Sequence, residues 1–281
     1  MKIQLMSDLH LEAHPHWRAQ PAPQADVLLL AGDVGSYQPG SLLADPDFGL
    51  GQFSPHNGWP TPVVFVPGNH EYDGMDFDQA HTRLRTTCER LGLIWLEREV
   101  CLSPWTDKHG RPVRLVGTTL WTDFDALSPH QNAHTRTANP LAQQLKARDK
   151  AYRAANYYLR KSGTTRLGVP FLAEQMRTQA LECQHWLRQQ LETPFDGSTV
   201  VITHFAPSLR SADPRYGLTP GTAGFCSTLD DLLPYACLWL HGHLHAPSDY
   251  VAQNCRVVAN PLGYIRKNEQ ARFKSCDVIE V

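Results

Sequence analysis

The chain has no excess of positive charge. Its 26 Lys and Arg stand against 28 Asp and Glu, a formal net charge of −2. It therefore lacks the basic electrostatic footprint of a general nucleic-acid binder, and nucleic acid is not expected as a partner. It also has no CxxC pair. Its seven cysteines (Cys88, Cys101, Cys183, Cys226, Cys237, Cys255 and Cys276) are scattered, and an odd number cannot close completely into intramolecular disulfides. That usage fits a reduced, cytoplasmic protein. No apolar run approaches the roughly 18 residues of a membrane span, so no membrane partner is expected. At the amino terminus one lysine precedes Ile3-Gln4-Leu5-Met6, and Asp8 follows too soon for the apolar stretch of a secretory leader. Internal repeats and low-complexity tracts are absent as well.

At 281 residues the chain can bury roughly three quarters of its unfolded surface. The proline-rich stretches at 15–23 and 39–62 read as long loops over one core, so a single domain spanning residues 1–281 is expected. Apolar runs of strand length occur at 3–6, 27–31, 63–66, 113–117, 200–203, 237–240 and 257–259, with 278–281 closing the chain. Several are continuous, as in strands covered on both faces. Phe77, Ala80, Leu84, Cys88 and Leu91 recur at helical spacing and Gly92 follows as a C-terminal stop. Leu172, Met176, Ala180, Cys183, Leu187 and Leu191 form a second helical stripe behind Pro170, which suits a first helical turn. Residues 141–161 are also helix-compatible, with six basic side chains set against Asp149. That face reads as solvated sooner than as substrate-facing. A helical insertion at about residues 125–170 is nonetheless the place where a cap over a site would lie. Interleaved strands and helices of this kind predict an α/β, layered sheet-and-helix architecture with its site along one edge.

Five clusters of metal-ligand residue types each close a strand-like run. Asp8-Leu9-His10 offers a carboxylate and an imidazole two residues apart, which on an extended segment share a face. A surface turn is the plainer alternative. Gly32-Asp33 follows Leu28-Leu29-Leu30-Ala31, and an unpartnered carboxylate leaving a buried strand is costly, so a cation or a helix-cap role is needed there. Gly68-Asn69-His70-Glu71 pairs a neutral oxygen ligand with an adjacent histidine free for acid–base work. His204 follows Val200-Val201-Ile202-Thr203 and taken alone would be read as a core histidine. His241, His243 and His245 are three histidines in five residues after an apolar strand, a strong local metal signal.

In this order the motifs resemble the calcineurin-like metallophosphoesterases, over residues 8–245. The resemblance implies a two-sheet β-sandwich flanked by helices, with a dinuclear metal centre at one edge. It implies Asp8, His10, Asp33 and His245 on one ion, and Asp33, Asn69, His204 and His243 on the other, with Asp33 bridging. It leaves His70 off the metals, as the residue that acts on the substrate. His241 falls beside these ligands, in a supporting position. The family's second motif commonly reads Gly-Asp-x-x-Asp, whereas Gly32-Asp33-Val34-Gly35 is followed here by Ser36. The later aspartate can hold the equivalent of His70, and Ser36 supplies no charge, so Glu71 is the candidate to compensate. The change points away from a protein phosphatase.

Two divalent cations with two carboxylates and otherwise neutral ligands leave a positive centre, which attracts phosphate and can depress the pKa of a bridging water from 15.7 towards about 7. The expected reaction is in-line attack of the resulting hydroxide on phosphorus, with His70 assisting the leaving alkoxide. Nitrogen and oxygen ligands without cysteine suit manganese first, with iron or zinc as alternatives. The expected activity is hydrolysis of a small phosphodiester, a nucleotide being one such substrate. Alternatives are a phosphomonoesterase, a nuclease or a lapsed metal-binding scaffold. Arg210, Arg215 and Tyr216, just after His204, and the segment from Asn260 to Tyr264 are candidate pocket residues, ahead of His14, His16 and Trp17.

Overall fold

A computed structural model describes residues 1–128 and 140–281. In chain order its strands are β1 (Lys2–Met6), β2 (Val27–Ala31), β3 (Val63–Val66), β4 (Ile94–Trp95), β5 (Glu99–Thr106), β6 (Pro112–Thr118), β7 (Thr165–Arg166), β8 (Val169–Pro170), β9 (Ser198–Thr203), β10 (Leu238–His241), β11 (Ser248–Ala252), β12 (Cys255–Ala259) and β13 (Val278–Glu280). The helices are α1 (Phe77–Leu91), α2 (Pro140–Ser162) and α3 (Ala173–Glu192).

Two sheets form the body. One runs β13-β1-β2-β3-β4 and the other β11-β12-β10-β9-β6-β5. Within the first, β1 to β4 are parallel and β13 is antiparallel. Within the second, β12, β10, β9 and β6 are parallel and the edge strands β11 and β5 are antiparallel. The continuous apolar runs follow from this arrangement, because each central strand is covered twice. Ile3, Leu5, Leu29 and Val64 of the first sheet share a buried cluster with Leu115, Val200, Ile202 and Leu240 of the second. The alternate residues Leu28, Leu30 and Phe65, and likewise Val116, Val201 and Trp239, fall in the cluster that contains the apolar stripes of α1 and α3. Mixed α/β layering with two multi-stranded sheets is thus the fold read from the sequence.

Helix α1 occupies the span that its periodicity and Gly92 predict. The Asp76 side chain accepts from the amides of Asp78 and Gln79 at its start, and Gly92 ends it in the left-handed conformation with φ 73°. Helix α3 begins later than its stripe implied. Pro170 is not in its first turn but ends β8, and Leu172 is the N-cap. Strands β5 and β11 gave no apolar run to read, since each is an edge whose residues alternate between partly buried and exposed. Helix α2 lies in the expected insertion, whose residues 129–139 fall outside the described residues.

Candidate metal centre

Because the parallel strands of each sheet share one direction, their carboxyl ends gather on one edge, and the five motifs gather with them. The ligand atoms of Asp8, His10 and His245 all lie within 4.8 Å of one another, and so do those of Asp33, His204 and His243. A third such group, His10, Asp33 and His70, joins the first two. The Asn69 side-chain oxygen sits 3.1 Å from Nε2 of His204. All eight residues named from the sequence as ligands or acid–base group are therefore in one place.

The backbone there is not what the spacing suggested. Asp8 and His10 do not converge from an extended segment, because both have positive φ, 53° and 46°. Asp33, His243 and His245 do as well, at 54°, 72° and 49°. Left-handed backbone at non-glycine residues costs on the order of 1–3 kcal/mol each and concentrates at functional sites. Glycine is needed where the loops meet. A Cβ on Gly32, itself at φ 83°, would strike Nδ1 of His204 and stand 2.7 Å from the Gly68 backbone.

Three of the imidazoles, those of His10, His204 and His245, are tethered through Nδ1 and turn Nε2 inward. Nδ1 of His10 donates to Glu12 Oε1 at 3.0 Å, and Nδ1 of His245 to Glu269 Oε2 at 2.7 Å. Nδ1 of His204 donates to the Ala31 carbonyl at 2.8 Å. For His10 and His245 these bonds favour the tautomer that leaves Nε2 as a lone pair, whereas Nε2 of His204 faces the side-chain oxygens of Asn69 and Asp33 at 3.1 and 3.2 Å. The Nε2 atoms of His10 and His245 then face each other at 3.0 Å, and Nε2 of His243 is buried without a hydrogen-bond partner. Burial pushes the pKa of both His10 and His243 down, favouring the neutral ligand form. Lone pairs pointed at one another in a buried pocket call for a cation between them. His204 sits differently. Burial alone would lower its pKa, but the adjacent Asp33 carboxylate outweighs burial and pushes it up to about 9. A divalent cation would take that proton's place.

Two carboxylates knit the loops together. The two oxygens of Asp8 accept from the backbone N–H of His243 at 2.9 and 3.1 Å. Glu71, expected to supply charge to His70, instead accepts from the backbone amides of Gly68 at 2.7 Å, Val34 at 2.6 Å and Asp33 at 3.1 Å. It is the clasp between the second and third motifs. The charge beside His70 comes from Asp73, whose Oδ2 lies 2.6 Å from His70 Nδ1 and also accepts from the Ser36 hydroxyl at 3.1 Å. The position where relatives carry an aspartate thus contributes a hydroxyl to a carboxylate that arrives from another loop.

A family model for the calcineurin-like phosphoesterases matches residues 1–247. The chain belongs to that family. Its metallophosphoesterase members use divalent metals, and the groups described above are the candidate ligands. Among solved structures, this chain resembles the phosphopantetheinyl hydrolase PptH from Mycobacterium tuberculosis, with a TM-score of 0.67 and 20% identity over 100% of this chain and 95% of that one. Among curated proteins it is similar to the uncharacterized protein L509 of Acanthamoeba polyphaga mimivirus, 21% identical over 233 residues, which are 78% of this chain and 73% of that protein. The family assignment makes the chain a phosphoesterase hydrolase. No helix among the described residues is long and apolar enough to cross a membrane.

The other sequence candidates are placed as follows. His241 is buried, with Nδ1 bonded to the Gly242 carbonyl at 3.0 Å and Nε2 to the Ser211 hydroxyl at 3.0 Å, so it braces the strand end. Arg210 lies 3.6 Å from Asp230. Arg215 forks onto Asp213 at 2.6 Å, and Tyr216 beside it is exposed. Tyr264 stacks on His10 with ring centroids 4.3 Å apart. His14 bonds the Gly263 carbonyl at 3.1 Å. Glu12, Asp73 and Glu269 were not read from the sequence. Glu12 continues the alternation of Asp8 and His10 and was legible in principle, whereas Glu269 lies 24 residues past His245 with no local signal.

Proposed function

We propose that this chain hydrolyses a small phosphodiester, a nucleotide among the substrates to test, with two divalent ions held by Asp8, His10, Asp33, Asn69, His204, His243 and His245. Manganese is the first choice, with iron and zinc as alternatives. The observation that carries the reading is the inward set of imidazole lone pairs, above all Nε2 of His10 and His245 at 3.0 Å and the unpartnered Nε2 of His243. When bound, the ions would supply Lewis-acid charge to the phosphoryl oxygens and to the attacking water.

The protein's own part centres on His70. Burial lowers its pKa, but Asp73 and Asp33 outweigh burial and hold it well above the ordinary 6.5, which favours the protonated ring. Asp73 holds Nδ1, which leaves Nε2–H to donate to the oxygen of the departing alcohol. The backbone N–H of His70 donates to Asp33 Oδ1 at 2.8 Å, which ties this donor to the proposed bridging carboxylate. Ser36 in place of the family's aspartate does not by itself separate diester from monoester, because Asp73 supplies the carboxylate beside His70. The likeness to a phosphopantetheinyl hydrolase adds organic phosphoesters to the substrates worth trying. A cytoplasmic setting is part of the same reading, supported by seven cysteines that are all unpaired.

The test is hydrolysis of bis(4-nitrophenyl) phosphate and 4-nitrophenyl phosphate by metal-loaded protein, with His70→Ala alongside. A diester preference that collapses in the variant is expected. A monoester preference would overturn the diester assignment, unchanged turnover in His70→Ala would overturn the role of that residue, and no turnover of either ester would overturn the whole reading.

A further inference from the structure

A cavity of about 690 Å³ adjoins the metal residues, with Glu12, Gln38, Leu42, Tyr264, Ile265 and Arg266 in its lining. That volume falls within the roughly 300–1,000 Å³ of small-molecule sites. Three lining residues connect it to the centre. Glu12 accepts from His10 Nδ1, and Tyr264 stacks on the His10 ring. The backbone N–H of Gln38 donates to the Ser36 hydroxyl at 3.1 Å, and that hydroxyl donates to the carboxylate that holds His70. The cavity is therefore joined both to a ligand histidine and to the proposed proton donor.

Its lining has a definite chemistry. Leu42 and Ile265 are apolar side chains left 59% and 43% exposed. The Arg266 guanidinium lies 5.3 Å from the Tyr264 ring centroid, and no carboxylate pairs with it among the described residues. Its neighbour Lys267 is directed to Glu269 at 4.0 Å. Glu12 is buried and already engaged by His10, the Ser36 amide and the Gln38 side chain. What remains for a ligand is an apolar wall and one unpaired cation, since the faces of the Tyr264 ring are already met by His10 and by Arg266 and Lys267, the latter's Nζ 4.8 Å from the ring centroid. Laid end to end, the stacking distances from His10 to Tyr264 and from Tyr264 to Arg266 bound how far that cation is from the centre.

We propose that this cavity is a second subsite, which takes the organic arm of the phosphoester along Leu42 and Ile265 and reads a second phosphate on it through Arg266. The inference rests on the hydrolytic reading above and narrows its substrate class to compounds that carry two phosphate groups on one small organic body.

The probes are adenosine 3′,5′-bisphosphate and adenosine 5′-monophosphate, titrated by calorimetry into manganese-loaded protein and tested as inhibitors of bis(4-nitrophenyl) phosphate hydrolysis. The bisphosphate should bind at least about tenfold more tightly, the range expected for one charge-assisted contact. Arg266→Ala should erase that preference by weakening the bisphosphate alone, and Leu42→Asp, which places a carboxylate in the wall of the cavity, should weaken it too. Equal affinity for the two probes in the wild type, or a preference that survives Arg266→Ala, overturns the subsite. If the ester is not hydrolysed while the calorimetric preference and its loss in Arg266→Ala hold, the hydrolytic reading falls and the anion subsite stands.

Discussion

His70 and Asp73 form the shortest imidazole tether among the described residues of the site, Nδ1 to Oδ2 at 2.6 Å, and the hydroxyl of Ser36 donates to the same carboxylate oxygen. The geometry relocates a charge rather than losing it. Asp73 sits three residues beyond His70 at the end of a short helical turn, so the ring and its partner come from one loop and Ser36 braces them from another. Asp73→Asn should lower kcat by about 10- to 100-fold, part of what a positioned general acid contributes, with metal content unchanged. Ser36→Ala should cost only a few-fold. The combination Ser36→Asp with Asp73→Asn should regain part of the lost rate, because a carboxylate returns beside the ring. Elemental analysis together with kcat for the four proteins decides the matter, and wild-type kcat in Asp73→Asn would remove Asp73 from any positioning role.

Five residues at positive φ and imidazole nitrogens turned inward concentrate local cost at one edge, and cations held there would satisfy those nitrogens. Purified protein should retain two transition-metal ions per chain. Added manganese at about 100 times its Kd should raise the unfolding free energy by about 3 kcal/mol for each site that binds only the folded state. Asp33→Asn should abolish most of that gain, since Asp33 belongs to two of the three ligand groups. Melting curves with and without a chelator give the readout, and coincident curves would count against a cation at this edge.

His241 offers a pH test. Burial pushes its pKa down to about 4 from an ordinary 6.5. Between those values the unfolded chain binds a proton that the folded chain refuses, so this residue's contribution is complete above about pH 6.5 and is lost as the pH falls towards 4. The loss amounts to about 3 kcal/mol at most. Urea midpoints of metal-free protein across that window should therefore fall more steeply for the wild type than for His241→Gln, which has no proton to gain. Parallel slopes would mean that the imidazole is protonated in the folded state.

What the sequence disclosed and what it hid divide along physical lines. Central strands such as β2 and β9 were legible because covering both faces demands an unbroken apolar run. Ligand types were legible because Asp33, Asn69 and His204 lie at or just beyond strand ends. Asp8 and His10 were found for the wrong local reason, since their left-handed backbone, and not a shared strand face, turns them together. Edge strand β5 escaped because half its residues face outward and Pro104 interrupts it. Glu12, two residues past His10, was legible in principle, but the tethering carboxylates Asp73 and Glu269 escaped because a hydrogen bond to Nδ1 leaves no periodic trace. Their identity comes only from tertiary approach.

The relation of α2 to the site is testable through its carboxyl-terminal end. The Gly74 amide donates to the carbonyl of Ser162, the last residue of α2, at 2.8 Å, and the Thr164 hydroxyl donates to the Tyr72 carbonyl at 3.1 Å. Both contacts fall on the loop that carries His70 and Asp73, so the helical insertion, proposed as a cap, would brace the acid–base pair from behind. Thr164→Val keeps the shape of the side chain and removes the donor. Losing this bond and the hydroxyl's contact with Ser162 Oγ at 3.1 Å should cost about 1–2 kcal/mol, amide exchange at residues 70–75 should quicken, and kcat should fall several-fold while manganese retention stays as it was. If exchange there is unaltered, the insertion does not steady the loop, and its proposed service to the site ends with that result.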